Sequence, residues 1–221
     1  MTFANKAIKY FLNLRRPSGL TNSIEVMNPY KVKNVQQVVG DFYHKYFNDN
    51  KQRLFIFGIN PGRFGGGLTG IAFTDPVVLR ETCGIENDLG NQKELSSKFI
   101  YRMIENYGGV KKFYSNVFIS ALYPLALIKD GKNHNYYDTK ELSLVLRKEI
   151  IKSIKEQIEF GARRDSIIIL GKKNSNFFSE LNKMNGFFDK IIVLEHPRYI
   201  MQYRLKKIDY YISKYLDALT V

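Results

Sequence analysis

The sequence predicts an α/β protein, a three-layer α/β/α sandwich around a central, mostly parallel sheet of about four strands. Short runs rich in β-branched and aromatic residues alternate along the chain with segments of helical periodicity. The run Leu54–Phe57 is continuously apolar, as expected of a strand that helices cover on both faces. With 221 residues the chain has the size of one domain, and we expect a single domain over 1–221, with residues 1–50 as an amino-terminal helical extension.

The first half of the chain predicts helices around one buried strand. Helical spacing of apolar residues and the apolar run predict, in order, helix Asn5–Asn13, helix Val35–Asn48, strand Leu54–Ile59, helix Pro76–Thr82 and helix Leu95–Tyr107. Asp75 precedes Pro76, as a capping residue precedes a proline in the first turn of a helix. The positive end of that helix would favour an anion near the glycine-rich segment before it.

The second half alternates strand and helix. The predicted elements are, in order, strand Ser115–Ala121, helix Thr139–Phe160, strand Ser166–Leu170, helix Ser175–Asn185, strand Lys190–Leu194 and helix Ile200–Leu219. Asp138 or Thr139 caps the long helix, and Glu141 closes a capping box if Asp138 is the cap. Because helices separate the strands, we expect parallel pairing, which brings the carboxyl ends of the strands to one edge of the sheet.

The composition favours an anionic partner and excludes several protein classes. The net charge is +13 and the isoelectric point about 9.6, which is typical of nucleic-acid-binding proteins, although solubility alone also accounts for basic charge. Cys83 is the single cysteine, so no internal disulfide forms. The first residues lack the apolar core of a signal peptide, and no apolar run is long enough to cross a bilayer. We expect a cytoplasmic monomer with no membrane partner, no cofactor and no metal, since the three histidines stand far apart.

A glycine-rich segment, residues 62–70, follows the first predicted strand, and Asn60 stands just before it. Its glycines let the backbone approach a ligand closely, whereas the alternative is a mobile surface loop. Part of it matches the dinucleotide pattern G-x-G-x-x-G, but strand and helix do not flank it as that fold requires. The spacing also meets the phosphate loop, but Leu68 stands where a lysine is needed. His196 follows the last predicted strand, so we expect it at the same sheet edge as Asn60.

Several short stretches identify a family by resemblance. After the first strand these are Gly58–Gly62, Phe64–Gly65, Thr69–Ile71 and Phe73; further along they are Asn116–Ile119, Pro124–Leu125, Gly131–Asn133 and His196–Arg198. Together they resemble the motifs of the single-strand-selective monofunctional uracil-DNA glycosylases, a branch of the uracil-DNA glycosylase superfamily. The resemblance runs from about Leu54 to Arg204. It implies a DNA repair enzyme that rotates a deaminated base out of the helix and hydrolyses its N-glycosidic bond.

The resemblance also implies roles for residues at the sheet edge. Asn60 would orient the attacking water, His196 would hydrogen-bond the charge that develops on the departing base, and Phe73 would stack on that base. The predicted base-binding residues are Gly62, Phe64, Phe73, Ser120 and Ala121. Ala121 departs from the family, which has a uracil-reading asparagine there, so xanthine and hypoxanthine join uracil as candidate substrates. Ser120 offers a neighbouring hydroxyl, although strand alternation points it to the other face.

Asp75 adds a carboxylate that the resemblance does not supply, either as a base for the attacking water or as the helix cap. The predicted DNA contacts combine cations, backbone and an intercalating aromatic, namely Arg63, Gly65, Gly66, Gly67, Arg198, Tyr199, Arg204, Lys206 and Lys207. We see no lysine placed to form a Schiff base with the sugar, so we predict a monofunctional enzyme. Two alternatives are a non-catalytic nucleic-acid-binding or damage-sensing protein on the same fold, and a nucleotide-processing hydrolase.

Overall fold

The structure is a computed structural model, and it describes residues 1–220. The strands are β1 (Glu25–Met27), β2 (Arg53–Gly58), β3 (Val117–Ala121), β4 (Ala126–Lys129), β5 (Lys132–His134), β6 (Ala162–Leu170) and β7 (Lys190–Leu194). The helices are α1 (Phe3–Leu12), α2 (Lys33–Phe47), α3 (Gly66–Thr69), α4 (Pro76–Glu81), α5 (Leu95–Tyr107), α6 (Val110–Asn116), α7 (Lys140–Ile158), α8 (Lys172–Asn185), α9 (Pro197–Tyr203) and α10 (Ile208–Ala218). Short 3₁₀ turns cover Pro29–Lys31 and Leu205–Lys207. Within residues 1–220, no helix has the length and apolar character that a membrane span requires.

The main sheet contains four parallel strands in the order β3-β2-β6-β7, flanked by helices, which confirms the predicted α/β sandwich. Every residue of β2 is buried, as its apolar run predicts for a central strand. At the carboxyl edge, Gly58 pairs with Ala121, and Leu194 pairs with Leu170. Asn60 and His196 follow β2 and β7, so the register brings both to this edge.

A second sheet was not predicted. It contains β1, β4 and β5 in that order, with antiparallel pairing throughout. Its strands are only three or four residues long and pair residues that are far apart in sequence, so no local periodicity marks them. The sheet matters for the site because β5 carries the backbone of His134 to Asn60.

Several predicted boundaries were wrong. Residues 115 and 116 belong to the unpredicted helix α6, so β3 begins at Val117. Strand β6 begins at Ala162, four residues before its predicted start at Ser166. The predicted helix Ile200–Leu219 is two helices, α9 and α10, separated by a 3₁₀ turn. These errors fall where tertiary contacts, rather than helical or strand propensity, decide the conformation.

The capping predictions had mixed outcomes. Asp75 caps α4 as predicted, with its carboxylate accepting a hydrogen bond from the backbone N–H of Val78. Thr139 caps α7 by accepting from the N–H of Leu142 at 3.2 Å. Asp138 instead accepts from the N–H of Asn135 at 2.8 Å, so the capping box based on Asp138 does not form.

The amino-terminal residues pack into the aromatic core beneath the main sheet. The ring of Phe3 lies 5.3 Å from that of Phe47 in α2 and 5.0 Å from that of Phe118 in β3. Both partners are almost fully buried. Residues 1–50, predicted as an extension, therefore contribute side chains to the same core as the sheet.

Arg53 is a fully buried cation within this core, with 0% exposure. Its guanidinium contacts the rings of both Phe3 and Phe47, at 4.8 and 4.9 Å from their centroids. It donates to both carboxylate oxygens of Asp49 at 2.9 Å and to the backbone oxygen of Tyr114 at 2.8 Å. The charge is thus paired and hydrogen-bonded, which is the condition for burying it.

Candidate functional site

A cavity of about 640 Å³ opens at the carboxyl edge of the main sheet. Its lining includes Asn60, Gly62, Glu94, Asn133, His196 and Arg198. These residues come from the β2 and β7 exits, the start of α5, strand β5 and α9. A slightly larger cavity, about 680 Å³, lies between α1 and α7 and contains none of the predicted site residues. The cavity at the sheet edge is therefore the candidate site.

The amide of Asn60 is held in one orientation by the second sheet and the residues after it. Its Nδ2 donates to the backbone oxygen of His134 at 3.0 Å, and its Oδ1 accepts from the backbone N–H of Tyr136 at 3.3 Å. Because the first partner only accepts and the second only donates, the amide cannot be reversed without losing both bonds. One Nδ2 hydrogen and one Oδ1 lone pair remain for a water or substrate.

The imidazole of His196 is neutral and has a defined tautomer. Its Nδ1 accepts from the backbone N–H of Arg198 at 3.2 Å, which caps α9. A nitrogen that accepts this bond carries no proton, so the proton of the neutral ring lies on Nε2. Desolvation, with the positive charge of Arg198 adding to it, lowers the pKa of His196 to about 4. The ring therefore presents a neutral N–H donor at the cavity near pH 7.

Phe73 lies beside His196, with ring centroids 5.8 Å apart. Its φ of +55° is unusual for a bulky residue. Its ring occupies space that the missing side chain of Gly58 leaves open, since an added Cβ there would lie 2.6 Å from the ring. Ser120 and Ala121 are buried in β3, opposite Phe57 and Gly58. None of the three predicted base-binding residues Phe73, Ser120 and Ala121 is part of the cavity lining. Of the predicted base-binding residues, Gly62 and Phe64 line the cavity, and Phe73 contacts the lining residue His196.

Both carboxylate oxygens of Asp75 accept hydrogen bonds from backbone N–H groups. Oδ1 accepts from the N–H of Val78 at 3.0 Å, and Oδ2 accepts from the N–H of Glu94 at 3.0 Å. The residue is 2% exposed and does not line the cavity. The capping interpretation is therefore correct, and the structure gives the predicted role as a base no access to the cavity. The same carboxylate occupies the positive end of α4, where an anion was expected.

The three consecutive glycines of the glycine-rich segment do not lie open to DNA. Gly65, Gly66 and Gly67 are buried, and the last two begin the short helix α3. An added Cβ on Gly67 would lie 2.7 Å from the backbone oxygen of Gly62 and 3.2 Å from the side chain of Ala126. Close backbone packing accounts for these three glycines without DNA, and direct DNA contact by them stays a prediction.

Glu94 is a site residue that the sequence analysis missed. It stands at the start of α5, and its carboxylate lies against the bare backbone of Gly62 and Gly65, where a side chain at either position would overlap it. Burial raises the pKa of Glu94 to about 7; the positive charge of Arg198 opposes this rise and the negative charge of Asp75 adds to it. No motif marks this position, because a glutamate before a helix is also an ordinary solvent-exposed residue.

Cations and aromatic rings surround the mouth of the cavity. The guanidinium of Arg63 lies 4.6 Å from the ring centroid of Phe64, which is 46% exposed and so lies at the mouth rather than in an enclosed base pocket. On α9, the rings of Tyr199 and Tyr203 lie 5.6 Å apart, and Tyr203 is 67% exposed. Arg204 stacks over Tyr199 at 5.2 Å. This basic aromatic surface suits a polyanion with flat bases.

Other predicted contacts vary in their distance from the cavity. Arg198 and Tyr199 line it, whereas Lys206 and Lys207 are exposed in the 3₁₀ turn after α9. Two lysines that the sequence analysis did not place near the site, Lys93 and Lys132, line the mouth and are exposed. Among residues 1–220, no group of three or more potential metal ligands is present.

Comparison with known proteins links the site to a family. The sequence model of the Uracil DNA glycosylase superfamily matches residues 44–220. The fold is similar to the crystal structure of wild-type SMUG2 from Pedobacter heparinus, with a TM-score of 0.95 and 43% sequence identity. The match covers 100% of this chain and 97% of that chain, and so includes residues 1–50, which the motif resemblance left out. No curated protein matches the sequence.

Proposed function

The chain belongs to the uracil-DNA glycosylase superfamily, in its SMUG-like branch, and from this premise we propose that it excises uracil, xanthine and hypoxanthine from DNA. Membership supports a glycosylase-type repair function, a hydrolase that acts on DNA. The proposal adds the three bases, because Ala121 lacks the amide with which the family reads uracil. Without that amide the chain lacks a uracil-specific hydrogen-bond partner at this position, and bases with a different edge are rejected less strongly.

The neutral His196 is the observation that carries the proposal. Cleavage of the N-glycosidic bond leaves negative charge on the base, and a positioned N–H donor stabilises that charge more than it stabilises the bound substrate. Nε2–H is such a donor, since Nδ1 is occupied by the backbone of α9. An uncharged ring also avoids the desolvation cost of a cation at this position.

Asn60 supports the second half of the reaction. Its amide is fixed by two backbone bonds, so the remaining lone pair of Oδ1 has a set direction in a residue that lines the cavity. We propose that this oxygen holds the water that attacks the sugar. Fixed orientation of this kind lowers the entropy cost of the attack.

The basic aromatic surface supports DNA as the substrate. A base within a duplex must rotate out of the stack before its glycosidic bond can be reached. Tyr199 and Tyr203 are exposed next to the cavity and are the candidates for filling the gap left in the stack, while Arg198 and Arg204 would contact the flanking phosphates.

We also propose that the enzyme is monofunctional, with water rather than an amine as the nucleophile. Lys93 and Lys132 line the cavity but are exposed, so neither is desolvated in the way that activates a Schiff-base lysine. Borohydride reduction during excision tests this assignment, because a Schiff base would be trapped as a covalent protein–DNA complex. We expect none. Action as a cytoplasmic monomer stays a prediction.

The deciding experiment measures base release from single-stranded and duplex oligonucleotides that carry uracil, xanthine or hypoxanthine. Wild-type protein, Asn60→Ala and His196→Ala are compared under single-turnover conditions, and His44→Ala is the matched control because His44 lies in α2, outside the cavity lining. We expect release by the wild type and the control, and a fall of about 10²-fold or more in both site variants.

Two other outcomes would replace the proposal. DNA binding with steep salt dependence but no release of any base would identify a non-catalytic binding protein. Stabilisation by a free nucleotide, without base release, would favour the nucleotide-processing hydrolase.

A further inference from the structure

The carboxylate of Glu94 lies in the candidate site and has no hydrogen-bond or ion-pair partner among the described residues. Asp75, the other carboxylate in this region, gives both oxygens to backbone N–H groups, one of which belongs to Glu94 itself. This bond anchors the backbone at the start of α5 and leaves the side chain of Glu94 to line the cavity with Asn60 and His196. In the described part of the chain, the carboxylate makes no hydrogen bond and no ion pair within 4.0 Å.

The bare backbone of the glycine-rich segment shapes the place where this carboxylate lies. Oε1 contacts the Cα side of Gly62, and Oε2 contacts that of Gly65, at positions where any larger residue would overlap it. The side chain of Asn133 also borders Gly62, and its Oδ1 accepts from the N–H of Arg63 at 3.0 Å. The two oxygens are therefore packed against the bare backbone of the segment, in a residue that lines the cavity together with Asn60 and His196.

The charged and titratable groups around Glu94 come from every neighbouring element. They are Asp75 before α4, Lys93 next to it in sequence, Arg63 in the glycine-rich segment, Lys132 on β5, and His196 and Arg198 around the start of α9. Burial dominates over these charges and raises the pKa of Glu94 to about 7, with Arg198 opposing the rise. At neutral pH the group is thus poised to gain or lose a proton, as an efficient acid–base catalyst requires.

We propose that Glu94 is the general base of the glycosylase reaction, accepting a proton from the water that Asn60 orients. The inference rests on the proposed function. The water oxygen donates an electron pair to C1′ of the sugar while the bond from C1′ to the base nitrogen breaks, its electron pair leaving with the base. One water proton passes to Glu94 and the other remains in the new C1′ hydroxyl. Glu94 then returns its proton through solvent to the base anion, so one water is added across the bond.

The pH dependence of the wild-type rate is the first test. Single-turnover excision of uracil at saturating protein is measured from pH 5 to pH 8, a range in which His196 stays neutral because its pKa is about 4. A base with a pKa near 7 must be ionised to act, so we expect the rate to rise about tenfold per pH unit below pH 7 and to level off above it. A flat profile over this range, with Glu94→Gln as active as the wild type, would overturn the inference.

Substitution then separates catalysis from structure. Glu94→Gln keeps the shape of the side chain and removes its basicity, and Glu86→Gln is the matched control because Glu86 is exposed in the connection between α4 and α5. We expect Glu94→Gln to lose about 10²-fold or more at pH 8, to lose the rising limb of the profile, and to bind abasic-site DNA as tightly as the wild type. The control should behave as wild type.

Added carboxylate gives an independent readout. In Glu94→Ala, formate can enter the vacated space and act as the missing base, so we expect a concentration-dependent recovery of the excision rate that the wild type and Glu94→Gln do not show. If Glu94→Gln is as active as the wild type and has the same pH profile, Glu94 is not the base. Absence of base release by the wild type would instead refute the proposed function, so the two failures are distinguishable.

Discussion

Replacement of Asp75 measures what this carboxylate contributes to the fold. Asp75→Ala removes the cap of α4, which is worth about 1 kcal/mol, and leaves the N–H of Glu94 without its acceptor, which costs about 1–3 kcal/mol. The free energy of unfolding should therefore fall by about 2–4 kcal/mol. For a chain of this size the melting temperature should fall by about 4–16 °C.

Asp75→Ser separates the two bonds. Serine is a good capping residue and keeps an oxygen for the N–H of Val78. It has no second oxygen to accept the hydrogen bond from the N–H of Glu94 at the start of α5. We expect this variant to lose only the second contribution, about 1–3 kcal/mol. The chain contains no tryptophan, so far-ultraviolet circular dichroism during urea unfolding is the suitable measurement.

The excision rate of the same variants tests the other interpretation of Asp75. At a temperature well below both transitions, Asp75→Ser should excise uracil within about tenfold of the wild-type rate, because the residue does not line the cavity. Loss of 10²-fold or more in a fully folded variant would assign catalysis to Asp75. An unfolding free energy of Asp75→Ala within about 0.5 kcal/mol of wild type would refute the energetic argument.

Three further predictions follow from particular contacts. Arg53→Met should lower the unfolding free energy by about 1–3 kcal/mol in urea titrations, since it leaves the buried backbone oxygen of Tyr114 without its donor and the partly exposed Asp49 without its partner. The second prediction concerns the pKa of Asp49, which burial would raise but which the hydrogen bonds and the positive charge of Arg53 lower. The lowered pKa of Asp49 in the folded state stabilises the protein above its pKa in the unfolded state, about 3.9, and this stabilisation is lost as pH falls through the folded-state pKa. The free energy of unfolding should therefore decrease more steeply below about pH 4 in the wild type than in Arg53→Met. Arg204→Ala should weaken DNA binding and reduce the slope of log K against log salt by about 1, as measured by fluorescence anisotropy; an unchanged slope would exclude a phosphate contact.

Much of the main sheet was predictable because its signal is local. The continuous apolar run of β2 reports burial on both faces, and Asp75 followed by Pro76 marks the start of a helix, and both predictions are confirmed. The antiparallel sheet was not predictable, because β1 and β4 pair residues about a hundred positions apart through strands of three or four residues. The split between α9 and α10 likewise depends on packing rather than on periodicity.

The candidate site divides in the same way. The positions of Asn60 and His196 after parallel strands determine by topology alone that they meet at one edge, and the sequence motifs identify the family. Which carboxylate faces the cavity could not be decided from the sequence. Asp75 and Glu94 are both acidic residues at helix starts, and only the tertiary hydrogen bond between them shows that one is consumed by backbone N–H groups while the other is left in the cavity. Sequence patterns indicate what the local backbone geometry requires. The ionisation of a side chain, and the hydrogen-bonding groups that it has left for a substrate, depend on neighbours that folding brings together from distant parts of the chain.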